Sequence, residues 1–346
     1  MKIRNMLAMI LALVMVFSMT ACAREEAPAA TVASEAPAVE TTPETEAIVD
    51  KEGDLLNIMV LNGTTGFGMA NLMDAAGKGQ AAQNYNFTVE TDASNIVAGL
   101  VNESVDIAAL PTNAAAAVYN KTQGGVQVLA LNTLGVLYVV SDGSVAVESL
   151  EDLAGLTVYA PAQNPTFIFQ HLCQAAGVDV TIDNTYAQPA DLNTAVASGQ
   201  VAVAVLPEPM VTVAKANNPE LVVALDLTEE WDKVSPAGSL VQGCVVVRRE
   251  VAEQNPDAIK LFLEEYGASI EALTGDIEGT AVKIEENGIF AKAAVAKKAI
   301  PNCNVCFVTG AEMKASLGEF LEIMYAVAPN SVGGSVPGDD FYCILG

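Results

Sequence analysis

The sequence has few basic residues and a single histidine. Its 346 residues include 16 lysines and arginines against 42 aspartates and glutamates, so the formal net charge is -26 at neutral pH. Proteins that bind duplex nucleic acid rely on lysine and arginine contacts to phosphates, so this charge argues against nucleic acid as a partner. It says little about a small-molecule ligand, because surface acidity mainly keeps a protein soluble.

Motifs for hydrolytic or metal chemistry are also missing. There is no Gly-x-Ser-x-Gly and no His-Glu-x-x-His, and the only histidine, His171, falls inside a predicted helix, where we interpret it as packed or solvated. The pair Cys303-x-x-Cys306 lacks the second cysteine or histidine pair of a zinc site. We expect a local disulfide or two free thiols there, and predict no catalytic residue, no metal and no cofactor.

One short motif leaves an enzyme as an alternative. Gly66-Phe67-Gly68 follows an apolar strand and opens a helix, and Glu90 comes about 20 residues later, as in a dinucleotide-binding fingerprint. However, Asn71 occupies the third glycine position, and the turn is longer than the fingerprint requires. A dinucleotide-dependent enzyme is therefore the less favoured interpretation.

The N-terminus has the three parts of a secretory signal. Lys2 and Arg4 precede an apolar run, Met6–Met19, which is shorter than the roughly 20 residues of a membrane helix. The following Thr-Ala-Cys22 resembles a bacterial lipobox. It indicates a lipoprotein signal peptide at 1–21 and lipid on Cys22, which would anchor the protein on the extracytoplasmic face of the cell membrane. An ordinary signal peptide and a buried helix are the alternatives.

The segment after Cys22 differs in composition from the rest of the chain. Residues 22–53 are rich in Ala, Pro, Thr and Glu and contain almost no large apolar side chains. Such a segment cannot offset its ordering entropy by burial, so we predict a disordered tether. Roughly 290 residues follow, enough for one large domain or two moderate ones. The five cysteines beyond Cys22 are an odd number, so at least one thiol is free or pairs outside the chain.

An internal repeat, spaced by about 100 residues, organises this remainder. Leu56–Gly77 matches Leu156–Gly177, each an apolar strand, a polar turn and a helix ended by glycine. Val105–Thr112 matches Val201–Glu208, each a continuous apolar strand stopped by proline, as in sheets covered on both faces. Strands that alternate with helices predict α/β units with parallel sheets. The repeat therefore predicts two similar lobes.

The matched turns are the predicted ligand site, because ligands of parallel sheets bind outside the carboxyl ends of the strands, near helix N-termini. These turns are Asn62–Phe67 and Pro111–Asn113 in the first unit, and Ala162–Thr166 and Pro207–Pro209 in the second. We expect them to face each other across a cleft. The polar segment 132–135 interrupts a long apolar stretch and predicts a crossing between the lobes, with the return near Gln242 and Gly243.

Several stretches resemble substrate-binding proteins of ABC importers, of the nitrate, sulfonate, taurine and thiamine-precursor type. They are SLEDLAGLTVYAPAQNPTFIFQHLCQAAGVD (149–179), PTNAAAAVYNKTQGGVQVLALNTLGVLYVVS (111–141), VLPEPMVTVA (205–214) and VGGSVPGDDFY (332–342). One departure is that the family's usual Gly-x-Val-Asp before the second proline-stopped strand reads Gly-Gln-Val-Ala202, although Asp106 is present in the first unit.

The resemblance implies a two-lobed, type II periplasmic-binding-protein-like fold, in which each lobe is a mostly parallel sheet flanked by helices and two crossings join the lobes. Lobe I would comprise residues 54–136 and 243–346, and lobe II residues 137–242. The implied function is an extracytoplasmic receptor that captures a small organic molecule or oxyanion and delivers it, as a monomer, to ABC permease and ATPase subunits. A ligand-sensing or protein-interaction lipoprotein without a transport role is the alternative.

The resemblance also points to pocket residues in the matched turns and in the segment 132–135, to which Phe67 is added as an aromatic that could stack on a ligand. The candidates are Thr64, Thr65, Gly66, Phe67, Thr112, Asn113, Asn132, Thr133, Asn164, Thr166 and Glu208. Glu208 could accept hydrogen bonds from an amino group or support the helix that begins near Met210, and both interpretations stay open. The turns contain no Lys, Arg or His, so backbone N–H groups at helix N-termini would hold an oxyanion. A neutral or amino-bearing ring compound fits at least as well.

Overall fold

The computed structural model describes residues 55–344. The predicted signal peptide, Cys22 and the tether lie outside the described residues. The strands are β1 (Leu56–Leu61), β2 (Tyr85–Glu90), β3 (Ile107–Pro111), β4 (Val126–Thr133), β5 (Leu137–Ser141), β6 (Thr157–Tyr159), β7 (Thr181–Asp183), β8 (Val203–Pro207), β9 (Val222–Asp226), β10 (Gly243–Arg248) and β11 (Val305–Val308).

Helices precede or follow nearly every strand. They are α1 (Thr64–Phe67), α2 (Ala70–Gly77), α3 (Ala93–Val101), α4 (Thr112–Lys121), α5 (Asn164–Ala176), α6 (Pro189–Ala197), α7 (Met210–Asn217), α8 (Leu227–Val234), α9 (Arg249–Gln254), α10 (Pro256–Gly275), α11 (Ile277–Glu286), α12 (Ala293–Ala299) and α13 (Gly310–Val327). Short 3₁₀ turns lie at Leu150–Leu153, Ile300–Asn302, Pro329–Val332 and Asp339–Phe341. Within residues 55–344, no helix has both the length and the apolar character that a bilayer crossing requires.

The strands form two sheets, one of six strands in the order β11-β4-β10-β3-β1-β2 and one of five in the order β7-β6-β8-β5-β9. Strand β1 pairs in parallel with β2 and β3, and β6 with β7 and β8, whereas the remaining pairings are antiparallel. The predicted two-sheet α/β architecture is confirmed, but both sheets are mixed rather than mostly parallel.

The antiparallel pairings in the middle of each sheet have a topological cause. Strand β5 follows β4 of the six-stranded sheet, and β10 follows β9 of the five-stranded sheet. Strands β5 and β10 each begin at the side of their sheet where the neighbouring strands have their carboxyl ends. Each is therefore antiparallel to its neighbours. Sequence periodicity reports that a strand is buried but not its direction, which is why the mixed character was not predicted.

The internal repeat corresponds to repeated local structure. In the first unit of the repeat, strand β1 is followed by α1 and α2. At the matching position of the second unit, strand β6 is followed by α5. Gly177 ends α5 in a left-handed conformation, with φ of 69°, whereas Gly77 is the last residue of α2. Strands β3 and β8 are buried up to their final prolines, Pro111 and Pro207. These prolines confirm the predicted strand ends.

Two crossings connect the sheets, at residues 134–136 and at residues 235–242 after α8. Gln242 joins them. Its N–H donates to the Thr133 carbonyl at 2.9 Å, and its Oε1 accepts from the Val136 N–H at 2.7 Å. Its own carbonyl accepts from the Thr112 N–H at 3.2 Å. The two crossings therefore lie side by side and are hydrogen-bonded to each other.

His171, Cys303 and Cys306, for which no catalytic or metal-binding role was predicted, are all at least partly buried. The His171 ring packs on Trp231, with centroids 4.9 Å apart, and its Nε2 lies 2.8 Å from Ser235 Oγ. Burial lowers the pKa of His171. Cys303 and Cys306 are both free, as are the other three cysteines of the described chain, so the local disulfide considered for this pair is not formed.

Candidate ligand-binding site

A cavity of about 280 Å³ lies where the carboxyl ends of strands from both sheets approach each other. It is lined by Leu61, Asn62, Gly63, Thr64, Thr65, Pro111, Thr133, Val136, Asn164, Pro165, Pro189, Pro207, Glu208, Pro209, Met210, Gln242 and Phe290. These lining residues include no lysine, arginine or histidine, and Glu208 is their one ionisable side chain. The cavity therefore offers amide and hydroxyl groups, backbone and proline rings to a ligand.

Five of the eleven candidates line this cavity, namely Thr64, Thr65, Thr133, Asn164 and Glu208. Two others lie directly behind it. A Cβ on Gly66 would come within 2.5 Å of the Leu61 carbonyl oxygen, so glycine allows the close packing of this turn. The Phe67 ring is fully buried and meets Phe290 edge-on, with centroids 6.2 Å apart.

Three of the remaining four candidates hold the surrounding backbone. The Thr112 hydroxyl donates to the Val241 carbonyl at 2.8 Å, and Asn132 Nδ2 donates to the Thr65 carbonyl at 3.1 Å. Thr166 Oγ1 donates to the Pro161 carbonyl at 2.7 Å. Asn113 is buried in the first turn of α4. The contacts of Thr112, Asn132 and Thr166 fix the turns from which the lining residues project.

Two lining residues lie far from every turn that the sequence singled out. Pro189 opens α6, and a proline at a first helical position is a signal that could have marked this end of the cavity. Phe290 follows α11 and reaches the cavity through tertiary packing alone. No local pattern in the sequence distinguishes Phe290 from a core phenylalanine.

Four helices of at least eight residues, α4, α5, α6 and α7, begin at the cavity. The N-terminus of a helix carries partial positive charge and unpaired N–H groups, which favour an anion or another acceptor. These helix ends provide positive potential in a cavity without cationic side chains. The predicted use of helix N-termini is therefore compatible with the geometry.

Asn164, the first residue of α5, is the least satisfied polar group of the lining. Its side chain is 7% exposed, and its Oδ1 has no hydrogen-bond partner. Its Nδ2 has none within the described residues either. A buried polar group without a partner costs free energy. An amide in this position can offer a ligand one acceptor and two donor hydrogens.

Glu208 is engaged by the helix that follows it. Its carboxylate accepts hydrogen bonds from the Thr212 N–H at 3.1 Å and from the Thr212 hydroxyl at 2.9 Å. It thus satisfies an N–H of the first turn of α7, where Pro209 at the N-cap position offers no side-chain acceptor. Burial raises the pKa of Glu208, and hydrogen bonds from Thr212 and from the Asn302 side chain oppose this shift. The helix-supporting interaction considered for Glu208 is therefore present.

A second concavity, which we call the side groove, lies on the other side of Glu208. It has a volume of about 480 Å³ and is lined by Tyr138, Glu208, Val211, Thr212, Lys215, Ala216, Val223, Lys298 and Asn302. The Tyr138 hydroxyl donates to the Asn302 carbonyl at 3.1 Å. Burial raises the pKa of Tyr138, and the nearby Asp226 and Glu208 carboxylates add to the shift.

Neither a metal centre nor an activated thiol is present near the cavity. Between residues 55 and 344, no three His, Cys, Asp or Glu side chains come together in a way that could hold a metal ion. Burial raises the pKa of Cys303, and it raises the pKa of Cys306 to about 12. Both thiols are thus held in the protonated form, which is a poor nucleophile and a poor metal ligand.

Residues 78–281, more than half of the chain, match a family model described as "ABC transporter, phosphonate, periplasmic substrate-binding protein". No curated protein sequence matches the chain. Many solved structures do match it.

The crystal structure of an ABC transporter from Parabacteroides distasonis is 23% identical, covers 84% of this chain and 99% of its own, and superposes with a TM-score of 0.72. The periplasmic aliphatic sulphonate-binding protein SsuA from Escherichia coli is 15% identical, with coverage of 82% and 96% and a TM-score of 0.66. The alkanesulfonate-binding protein SsuA from Xanthomonas axonopodis pv. citri, bound to MOPS, is 12% identical, with coverage of 83% and 96% and a TM-score of 0.62. These likenesses confirm the predicted fold over nearly the whole length of each neighbour.

Proposed function

Because this chain belongs to the phosphonate family of periplasmic substrate-binding proteins of ABC transporters, we propose that it captures its ligand in the cavity between the two sheets. Its role is that of an extracytoplasmic solute-binding receptor for an importer, with a small-molecule ligand and permease partners. The family is not an enzyme class. We also propose that this chain has no catalytic role.

One observation carries the assignment of the cavity. Asn164, at the start of α5, is buried with an unpartnered amide, and α4 and α7 begin at the same cavity. A ligand with acceptor oxygens would accept hydrogen bonds from N–H groups at these helix ends and from Asn164 Nδ2, whereas Asn164 Oδ1 would need a donor group on the ligand. The description of the matching family names phosphonate, and two of the similar solved structures are of sulfonate-binding proteins. We therefore favour a small organic molecule that carries a tetrahedral oxyanion.

The moving bodies would be lobe I, residues 54–136 and 243–346, and lobe II, residues 137–242. This division is supported by the two sheets, since each boundary falls in a crossing between strands of different sheets. The 11 candidate residues and the additional lining residues would meet the ligand or position those that do. Closure of the lobes over the ligand is the expected response.

The receptor would act as a monomer held at the membrane by lipid on Cys22. The lipobox-like Thr-Ala-Cys22 and the composition of residues 22–53 support this part of the proposal. A flexible tether raises the effective concentration of a receptor near its permease, and ATPase subunits would complete the importer. Stable anchoring usually needs more than one acyl chain.

A thermal-unfolding screen tests the proposed function on the protein without residues 1–47, since the described residues 55–344 belong to one compact unit. The probes are phosphonates, sulfonates including MOPS, nitrate, pyrimidines, vitamins and amino acids. A ligand at 100 times its dissociation constant should raise the free energy of unfolding by about 2.7 kcal/mol. If no probe stabilises the protein, the receptor assignment fails, and the protein-interaction lipoprotein becomes the favoured alternative.

A further inference from the structure

A third connection links the two sheets, in addition to the two crossings. It is made by residues 300–304, which we call the linking segment. Ile300 and Cys303 pack in the core of the six-stranded sheet, and the segment leads into β11 of the same sheet. The Tyr138 hydroxyl, on β5 of the five-stranded sheet, donates to the Asn302 carbonyl at 3.1 Å.

The same segment is bonded to the first crossing. Asn304 Nδ2 donates to the Gly135 carbonyl at 2.6 Å, and the Leu134 N–H donates to the Asn304 carbonyl at 3.1 Å. Both bonds hold the linking segment beside the point where the chain changes sheets. Tyr138 lies on β5, just after the first crossing. The distance from its hydroxyl to the Asn302 carbonyl therefore depends on the angle between the sheets.

The cavity wall is tied to this connection through Glu208. Asn302 and Glu208 both line the side groove, and Glu208 also lines the cavity. The Glu208 carbonyl accepts a hydrogen bond from the Thr64 hydroxyl at 2.8 Å. Glu208 is therefore bordered by residues of the six-stranded sheet on two sides, although it follows β8 of the five-stranded sheet.

We propose that Tyr138 and Asn302 are positioning residues for ligand capture, whose contact holds the two sheets in the arrangement that forms the cavity. This inference rests on the proposed function. Tyr138 and Asn302 line the side groove and not the cavity, so they would act without touching the ligand. Loss of their contact would lower the fraction of molecules in the binding-competent arrangement, and the affinity for every ligand would fall by that same fraction.

Tyr138→Phe removes the hydroxyl and leaves the ring, so it is the first variant to measure. Tyr186→Phe is the matched control, because the Tyr186 hydroxyl contacts Gln200 Oε1 at 3.5 Å within the five-stranded part. Hydrogen exchange followed by mass spectrometry reports local opening without a ligand. In Tyr138→Phe, exchange at residues 134–136 and 300–304 should rise by roughly two- to tenfold, as expected for the loss of one hydrogen bond. The helix α10 should not change.

Asn302→Asp is a second variant with a separate cause. It places a carboxylate beside Glu208, and like charges at this distance repel. Exchange should rise in the same two segments and at residues 208–213. Unchanged exchange there in both variants overturns the inference, and so does an equal rise throughout α10, which would indicate general destabilisation.

Binding of two named probes, MOPS and methylphosphonate, separates this inference from the proposed function. If both bind, Tyr138→Phe should weaken both by the same factor, whereas a direct ligand contact would weaken them unequally and overturn the inference. If neither binds the unsubstituted protein, the oxyanion assignment fails. The exchange measurement then still decides whether Tyr138 and Asn302 hold the two sheets together.

Discussion

The Thr64 hydroxyl donates a 2.8 Å hydrogen bond to the carbonyl oxygen of Glu208, 144 residues away. In the internal repeat, Thr64 corresponds to Asn164, and Glu208 corresponds to Thr112. The equivalent bond would join Asn164 to Thr112, but the Asn164 amide has no partner. The two halves of the repeat therefore differ at the cavity, where one side is closed by an internal bond and the other has a buried polar group without such a bond.

Thr64→Val should weaken the contact between the two turns. The substitution keeps the shape of the side chain and removes the hydroxyl, which leaves the Glu208 carbonyl without this donor. We expect the free energy of unfolding to fall by about 1–3 kcal/mol, measured by urea denaturation. Thr166→Val is the control, because its hydroxyl bonds to the Pro161 carbonyl within one turn. It should lose stability without a change in hydrogen exchange at residues 208–213, whereas Thr64→Val should raise exchange there.

Asn164→Ala should weaken ligand binding with little change in stability. The substitution deletes an amide that has no internal partner, so the free energy of unfolding should change by less than about 1 kcal/mol, while the loss of a ligand contact should cost about 1–3 kcal/mol of binding. Asn193→Ala is a matched control, because Asn193 is equally buried at 7% exposure and its Oδ1 also has no partner. Asn193 does not line the cavity. Equal loss of ligand-induced thermal stabilisation in both variants would contradict the assignment of Asn164.

Glu208→Gln should change how stability depends on pH. Burial raises the pKa of Glu208 above its usual value of 4.5, so the folded state favours the protonated carboxyl. The resulting stabilisation is present below the usual pKa and is lost as the pH rises through the raised pKa. The variant does not titrate, so its stability relative to the unsubstituted protein should increase as the pH rises from 4 to 7.

Asp152→Asn should change the pH dependence of stability in the direction opposite to that of Glu208→Gln. Hydrogen bonds from the Glu148 and Ser149 N–H groups and from the Ser149 hydroxyl lower the pKa of Asp152. The stabilisation that the ionised Asp152 gives to the folded state is present above the usual pKa of an aspartate and is lost as the pH falls through the lowered pKa. The stability of Asp152→Asn relative to the unsubstituted protein should therefore decrease as the pH rises. Urea titrations at several pH values check both slopes, and parallel curves for Glu208→Gln and the unsubstituted protein would contradict the role of burial at Glu208.

Gly135→Ala should disturb the first crossing. A Cβ at Gly135 would collide with the Thr228 hydroxyl and approach the Leu240 side chain. We expect a loss of about 1–3 kcal/mol, typical of overpacking, and a partial rescue by Thr228→Ala, which removes a buried hydroxyl that has no partner. Gly275→Ala is the control, because a Cβ there would meet nothing within 4 Å. If Gly135→Ala is as stable as Gly275→Ala, the crossing is looser than its packing indicates.

The parts of the fold that depend on local chemistry were predictable from the sequence. Pro111 and Pro207 end their strands because proline cannot continue the ladder, and the polar segment 132–135 marked the first crossing. The predicted turns supplied Thr64, Asn164 and Glu208 to the cavity. Each of these features is determined by residues within a few positions of it.

Features that depend on contacts between distant segments were not predictable from the sequence. Phe290 reaches the cavity from beyond α11, and Asn302 contacts Tyr138 across 164 positions. The direction of β10 follows from its arrival from the other sheet. The role of Glu208 also stayed open, because only the folded turn shows that its carboxylate faces Thr212.

The hydrogen bonds of Gln242 have a mechanical consequence. Two crossings that were free of each other could twist, shear or separate independently. Because Gln242 bonds to Thr133, Val136 and Thr112, the crossings form one seam, and a shear of one crossing past the other would have to break these bonds.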